Sequence, residues 1–169
     1  MKTALLVVDM QISLIDEGPW NSEALMSKVE KLIELARLNS VLVVFVVDHR
    51  VEPNMSLHPR MQTISGDLHI TKHFCDSFLD TPLDEELQIR GIKHLVIAGL
   101  QTDYCIDTTC RRAASLGYTV QLASDAHSTF PHHDLNAEQI IAHHNWTLRH
   151  FSAGKGSVSA VKSEHIHFA

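Results

Sequence analysis

A three-layer α/β sandwich around a parallel sheet is the fold this sequence predicts, on two observations. Residues 4–8 and 41–47 are short, valine-rich apolar runs without alternation, which is how strands covered on both faces read. Strand-like and helix-like segments then take turns along the chain, the order that sets helices on both sides of parallel strands.

Each element has its own signal. Between the first two strands, Ser22–Leu38 carries apolar Leu25, Val29, Leu32 and Ala36 at steps of four, three and four, one helix face. Ser22 suits its N-cap and Asn39 its C-terminal turn. Residues 69–71 read as a short strand. Residues 84–90 read as a helix that Gly91 can end in a left-handed conformation. Residues 95–98 form a third buried strand, residues 104–116 a helix ended by Gly117, and residues 119–123 a fourth strand. Asn136 can cap a helix with Ala137, Ile141, His144 and Leu148 on one face, and residues 150–152 suit an edge strand. The stretch 51–66, with Pro53 and Pro59, has no period and reads as a long loop, the kind that often covers a binding site. The tail from Ala153 has two glycines and little period, and reads as irregular and partly mobile.

The 169 residues suit a single domain spanning 1–169, able to bury roughly 70% of the surface the unfolded chain exposes. Apolar residues make up 44% and charged residues 20%, which argues against a disordered or fibrous chain. The net charge is −6 and Arg111–Arg112 is the nearest approach to a basic cluster, so nucleic acid and anionic membranes are poor partners. Three cysteines, Cys75, Cys105 and Cys110, make no disulfide framework. The first apolar run is stopped by Asp9, too early for a signal core. A cytoplasmic location is the expectation.

In open α/β sheets, ligands gather at the carboxyl ends of the strands. There lie Asp9, Asp48-His49, Lys72 and the segment from Gly99 to Cys105: a carboxylate, an ammonium and a thiol on one edge. Cys105 follows a strand, a glycine and a short turn, and is expected to open a helix. A helix N-terminus would lower its pKa and present N–H groups to a developing oxyanion. A buried, inert cysteine is the plain alternative. Asp9 either takes the thiol proton or caps a neighbouring loop. Lys72 either pairs with Asp9 and tunes the thiol or is a solvated surface lysine.

Three motifs in order narrow these alternatives. Leu5-Leu6-Val7-Val8-Asp9-Met10-Gln11 resembles the opening strand of the isochorismatase-like cysteine hydrolases. Thr71-Lys72 with the segment Asp76 to Leu83 resembles their lysine segment. Val96 to Cys105, followed by Thr108, resembles their cysteine loop, and Gly117 to Val120 with Asp125-Ala126 continues the likeness, which covers roughly residues 3–150. The resemblance implies a six-stranded, mostly parallel sheet, a catalytic triad of Asp9, Lys72 and Cys105, and a homodimer or larger homo-oligomer. It also implies a non-proline cis peptide at Leu100–Gln101 that aims the N–H groups of Gln101 and Cys105 into an oxyanion hole.

The nicotinamidase branch of that family binds a metal through Asp-x-His after the second strand. Here the stretch is Asp48-His49-Arg50, so neither metal nor other cofactor is expected, and nicotinamidase activity is not either. Thirteen histidines invite a metal reading, but the pairs His132-His133 and His143-His144 point apart on a helix, and Cys105 and Cys110 have no zinc-knuckle spacing. Gln11, His49, Arg50, Phe78 and Tyr104 are the candidates for contact with a small-molecule substrate, and Arg50 or Arg60 could hold a substrate carboxylate. The expected reaction is hydrolysis of a small amide or carbamoyl-type C–N bond through a thioester. Ether hydrolysis of the isochorismate type and a catalytically idle oligomeric protein are the alternatives. A nucleotide-binding module is disfavoured because Asp9-Met10-Gln11-Ile12-Ser13 has no glycine.

Overall fold

The computed structural model describes residues 2–168. Its strands are β1 (Lys2–Val8), β2 (Leu42–Asp48), β3 (Leu68–Lys72), β4 (Ile92–Leu100), β5 (Thr119–Ser128), β6 (Phe151–Ala153) and β7 (Gly156–Val161). They form one sheet in the order β3-β2-β1-β4-β5-β7-β6, parallel throughout except for the β6–β7 pair. Six parallel strands thus make the body of the sheet, and a three-residue antiparallel strand is added at one edge. The helices are α1 (Ile12–Asp16), α2 (Ser22–Leu38), α3 (Leu83–Ile89), α4 (Asp107–Ser115) and α5 (Ala137–Leu148).

The unalternating strands are explained by two cores. On β1, Leu5 and Val7 pack with α2 residues such as Val29, Leu32 and Ala36. Ala4, Leu6 and Val8 pack on the other face with Leu83 and Leu87 of α3 and Cys110, Ala113 and Ala114 of α4. Successive side chains point to opposite faces, so a strand covered on both must be apolar at every position.

Several local expectations are corrected. The residue before α2 that serves as its N-cap is Asn21, not Ser22; at the other end Asn39 is the C-cap, as expected, and the positive φ falls on Ser40 just beyond it. On α5 the buried face is Ala137, Ile140 and Leu148, and Ile141 and His144 are only half-buried. The tail is not irregular: Gly156–Val161 pairs in parallel with β5 from Thr119↔Ser157 to Ala123↔Val161. Its glycine misled the reading because it answers a packing need. A Cβ at Gly156 would lie 2.1 Å from the Ala114 carbonyl oxygen. The stretch 51–66 is a loop as predicted, touching the body through an isolated bridge between Gln11 and Leu57. Arg60 clamps it to α2 by hydrogen bonds to Glu30 (2.8 Å) and Glu23 (2.8 Å).

Gly99 governs the centre of the sheet. It lies opposite Val8 at φ 123, and a Cβ there would fall 2.0 Å from the Val8 carbonyl oxygen. Gly99→Ala should therefore cost clearly more than the ~1–2 kcal/mol of a left-handed alanine. Gly154→Ala, at φ 60 with open space around it, should cost about that amount and no more. Urea denaturation of the two variants checks the difference.

Candidate active site

Register and pleat bring the charged groups together. Val44, Val46 and Ile70 belong to the core on the α4 side, so Asp48 and Lys72, two residues further on, project to that side too. The two are direct register partners at the ends of β2 and β3. Asp9 would continue β1 toward α2 if it stayed extended. It instead turns at φ 52, a conformation aspartate tolerates better than most residues. Its backbone N–H donates to the Val46 carbonyl at 2.8 Å, which fixes the turn against β2.

The Lys72 side chain is fully buried. Its Nζ lies 3.0 Å from Asp9 Oδ2, 2.8 Å from Asp48 Oδ2 and 3.2 Å from Cys105 Sγ. One ammonium thus serves two carboxylates and the thiol. Arg50 completes the charge balance: its Nε donates to Asp48 Oδ1 at 2.9 Å and its Nη2 to Asp48 Oδ2 at 2.6 Å. Asp48 was legible as a strand-end residue, but its part in the cluster was not, because that depends on Lys72 lying opposite it.

Cys105 does not open the α-helix. It lies in a π-helical turn, Thr102–Ile106, in which the Ile106 N–H reaches back to the Gln101 carbonyl at 3.0 Å, and α4 begins only at Asp107. Inserted π turns are frequent at functional sites. The Leu100–Gln101 peptide before it is cis, as the resemblance implied.

The electrostatics differ from the expected lowering of the thiol pKa. Burial pushes the Cys105 thiol up, the nearby Asp9 charge pushes it further, and Lys72 only partly opposes them. Burial likewise raises the Asp9 carboxyl to about 6 against the pull of Lys72 and of the thiol. For Asp48, burial is outweighed by the bonds from Arg50 and Lys72, and its carboxyl falls well below the usual range. For Lys72, burial is outweighed by Asp9, Cys105 and Asp48, so it stays an ammonium. The resting pair is therefore a protonated thiol beside an ionised aspartate above pH 6. Asp9 Oδ1 is buried and has no hydrogen-bond partner among the described residues, an acceptor free to take a proton.

Oxygens of Asp9 and Asp48 and the Cys105 sulfur lie within 4.8 Å of one another, the spacing of a metal site. The Lys72 ammonium lies within 3.2 Å of all three residues and fills the place of a cation. The side chain of Arg50, where a histidine ligand would stand, is a second cation bound to Asp48. These residues do not fit a divalent metal.

The cluster opens into a cavity of about 610 Å³ lined by Asp9, Asp48, Arg50, Cys105, Gln101 and Tyr104, with Leu14, Glu17, Val51, Glu52 and Cys75. Of the candidate contact residues, Arg50 and Tyr104 face it. Gln11 does not line it: its side chain is engaged with the Asp48 backbone (2.9 Å each way) and the Met55 carbonyl (2.8 Å), tying β1, β2 and the loop 51–66 together. Phe78 is buried against Tyr118 with ring centres 5.9 Å apart. His49 packs its ring on His73 at 4.3 Å, outside the lining. Arg60 is held by α2 and does not reach the cavity.

Sequence reasoning missed a brace behind the cysteine turn. Asn145 of α5 donates from Nδ2 to the Ser124 carbonyl at 2.9 Å, which leaves its Oδ1 facing His127 Nε2 at 3.0 Å. His127 Nε2 must then carry the proton, and Nδ1 accepts from Thr102 Oγ1 at 2.8 Å. Burial pushes the His127 pKa down to about 4, so the ring stays neutral and the chain of bonds holds its direction. The sequence offered only a histidine after Asp125-Ala126, with no hint of its partners.

At the strand ends of a parallel sheet, then, a buried lysine lies between two carboxylates and faces a cysteine on a π turn. The isochorismatase domain family matches residues 3–150, and the chain belongs to that family. A Bacillus subtilis relative, the isochorismatase family protein YddQ, is 34% identical over 143 residues, covering 76% of this chain and 79% of that one. Streptothricin hydrolase of Streptomyces noursei is 30% identical over 137 residues, or 75% of this chain and 54% of that protein. A solved isochorismatase family protein superposes with a TM-score of 0.84 at 29% identity, covering 94% of this chain and 97% of the other. The family and the three-layer fold read from the motifs are thereby upheld.

Two measurements check this geometry. Lys72→Ala leaves Asp9 and Asp48 buried without their ammonium and should cost about 3–5 kcal/mol at neutral pH. Part of that loss should return as the pH falls and Asp9 takes up a proton, which urea unfolding across pH reads. Thr102→Val, which removes the hydroxyl that His127 holds, should slow alkylation of Cys105 by about tenfold or more, because the turn loses its brace. Thr102→Ser, which keeps the hydroxyl, should stay near the wild-type rate.

Proposed function

We propose that this isochorismatase-family protein hydrolyses a small-molecule amide or carbamoyl-type C–N bond through a thioester on Cys105. The observation that carries the reading is the contact of one buried ammonium with Asp9, Asp48 and Cys105 at the wall of a cavity large enough for a small molecule.

Each residue has a step. Asp9, ionised above its raised pKa of about 6, accepts the thiol proton as the sulfur attacks the carbonyl carbon. A free-standing thiolate is disfavoured by burial, so proton transfer and attack proceed together rather than from a stored thiolate. The backbone N–H groups of Gln101 and Cys105 receive the developing oxyanion. Asp9 returns its proton to the departing nitrogen as the C–N bond breaks, leaving a thioester. Water then attacks the thioester carbonyl, giving its proton to Asp9, and the sulfur leaves and takes that proton back. Lys72 stays protonated throughout and keeps the carboxylates and the sulfur in place, while Arg50 holds Asp48 away from the role of base. The likeness to a relative named streptothricin hydrolase supports hydrolysis as the class of reaction. A homodimer or larger homo-oligomer, a single domain over 1–169 and a cytoplasmic site of action complete the proposal. No helix among the described residues is long and apolar enough to cross a membrane.

The test is turnover of a panel of small amides and carbamoyl compounds. Cys105→Ala and Cys105→Ser should abolish it, and intact mass spectrometry of a quenched reaction should show the acyl group on Cys105. Full activity in both variants would overturn the covalent mechanism. The kcat/KM profile should rise with pH through about 6, because protonated Asp9 cannot accept the thiol proton. Asp9→Asn should remove that acid limb together with at least about a hundredfold of the rate.

A further inference from the structure

We propose that the cavity selects a positively charged substrate, recognised by the carboxylates of Glu17 and Glu52 and the ring face of Tyr104. This rests on the amidohydrolase reading above and adds to it the charge of the molecule that is cleaved.

The charged groups around the cavity divide into engaged and free. Asp9 is held by Lys72, and Asp48 by Lys72 and Arg50. Among the described residues Arg50 is the only basic side chain in the lining, and its guanidinium makes two bonds to Asp48. Glu17 and Glu52 line the same space, and among the described residues neither side chain has an ion-pair or hydrogen-bond partner. Two exposed carboxylates are therefore left uncompensated in the lining that also holds Cys105, together with apolar Leu14 and Val51. A cleft of one sign with low-dielectric walls concentrates ions of the other sign.

Two further features point the same way. Tyr104 keeps 49% of its surface exposed on the cavity wall although it belongs to the cysteine turn. Its ring meets His132 edge to face at 6.1 Å and is otherwise open, and an exposed aromatic ring in a cavity that also holds carboxylates suits an ammonium or a guanidinium. Asp9, which lines the same cavity, is buried, and its Oδ1 has no hydrogen-bond partner among the described residues. A substrate carboxylate would meet Glu17 and Glu52 as like charges, and the charge of Arg50, its counter-ion in the lining, is already balanced by Asp48.

Thiol-reagent charge reads this without knowledge of the substrate. Cys105 would be labelled with aminoethyl methanethiosulfonate (cationic), methyl methanethiosulfonate (neutral) and sulfonatoethyl methanethiosulfonate (anionic). Each rate is taken relative to free cysteine, in a Cys75→Ser background with the labelled site assigned by peptide mass. The cationic reagent should be favoured over the anionic one by about tenfold, and less so in about 0.5 M sodium chloride. The double variant Glu17→Gln/Glu52→Gln should lose most of that preference. Glu34→Gln/Glu164→Gln, which removes two carboxylates that do not line the cavity, should keep it. A preference equal to that of free cysteine, or one untouched by Glu17→Gln/Glu52→Gln, would overturn the proposal.

A second arm separates this from the amidohydrolase reading. Matched amides ending in an ammonium or in a methyl group should differ in KM, and the double variant should raise KM for the ammonium compound. Equal, Cys105-dependent hydrolysis of the pair would sink charge selection and leave the hydrolase reading standing. Cation-selective labelling without hydrolysis of any amide would support charge selection and sink the amide reading.

Discussion

The buried ammonium of Lys72 is the constraint on which the rest of the site depends. A lysine with no solvent exposure is stable only if opposite charges meet it at close range, and two carboxylates do so at 2.8 and 3.0 Å. Those carboxylates come from different strands, so the ion cluster exists only when β1, β2 and β3 end at matching heights. Removing any one member would leave a buried charge without its partner. The cluster is therefore a poor source of net stability and a strong source of position for the sulfur beside it.

The surroundings keep that position rigid from every side. Gln11 ties the ends of β1 and β2 to the loop 51–66 through its own amide, and Arg60 pins the same loop to α2. On the other side, Asn145 and His127 hold Thr102, and with it the π turn that carries Cys105. Gly99 lets β4 approach the Val8 carbonyl closely, next to the turn at Asp9. These are local contacts with one common effect, a sulfur fixed 3.2 Å from an ammonium at a cavity wall.

The balance of charges also decides which chemistry the cluster suits. Lys72 fills the place that a metal would take among Asp9, Asp48 and Cys105, and Arg50 binds the second carboxylate, Asp48. Asp9 is left as the carboxyl with a raised pKa and with an oxygen that has no hydrogen-bond partner among the described residues. Burial makes the thiol reluctant to ionise alone and makes Asp9 a better acceptor, so the two shifts reinforce each other as an acid and base pair.

Much of this molecule was legible in its residues, for a physical reason. A strand covered on both faces must be apolar throughout, so β1, β2 and β4 announced themselves, and the strand-end rule then pointed to Asp9, Lys72 and Cys105. The glycines that end α3 and α4 were readable because a left-handed turn favours them. What the tertiary structure alone decided depends on partners distant in sequence. Gly156 signalled a loop, yet it opens a strand paired with β5 and is needed where a Cβ would strike the Ala114 carbonyl. Gln11 looked like a ligand contact and is a bracket between strand ends. His127 gave no signal at all, because a histidine's role is set by what its two nitrogens meet. The thiol pKa was expected from helix position, yet burial and the Asp9 charge, both products of the folded surroundings, turned it the other way.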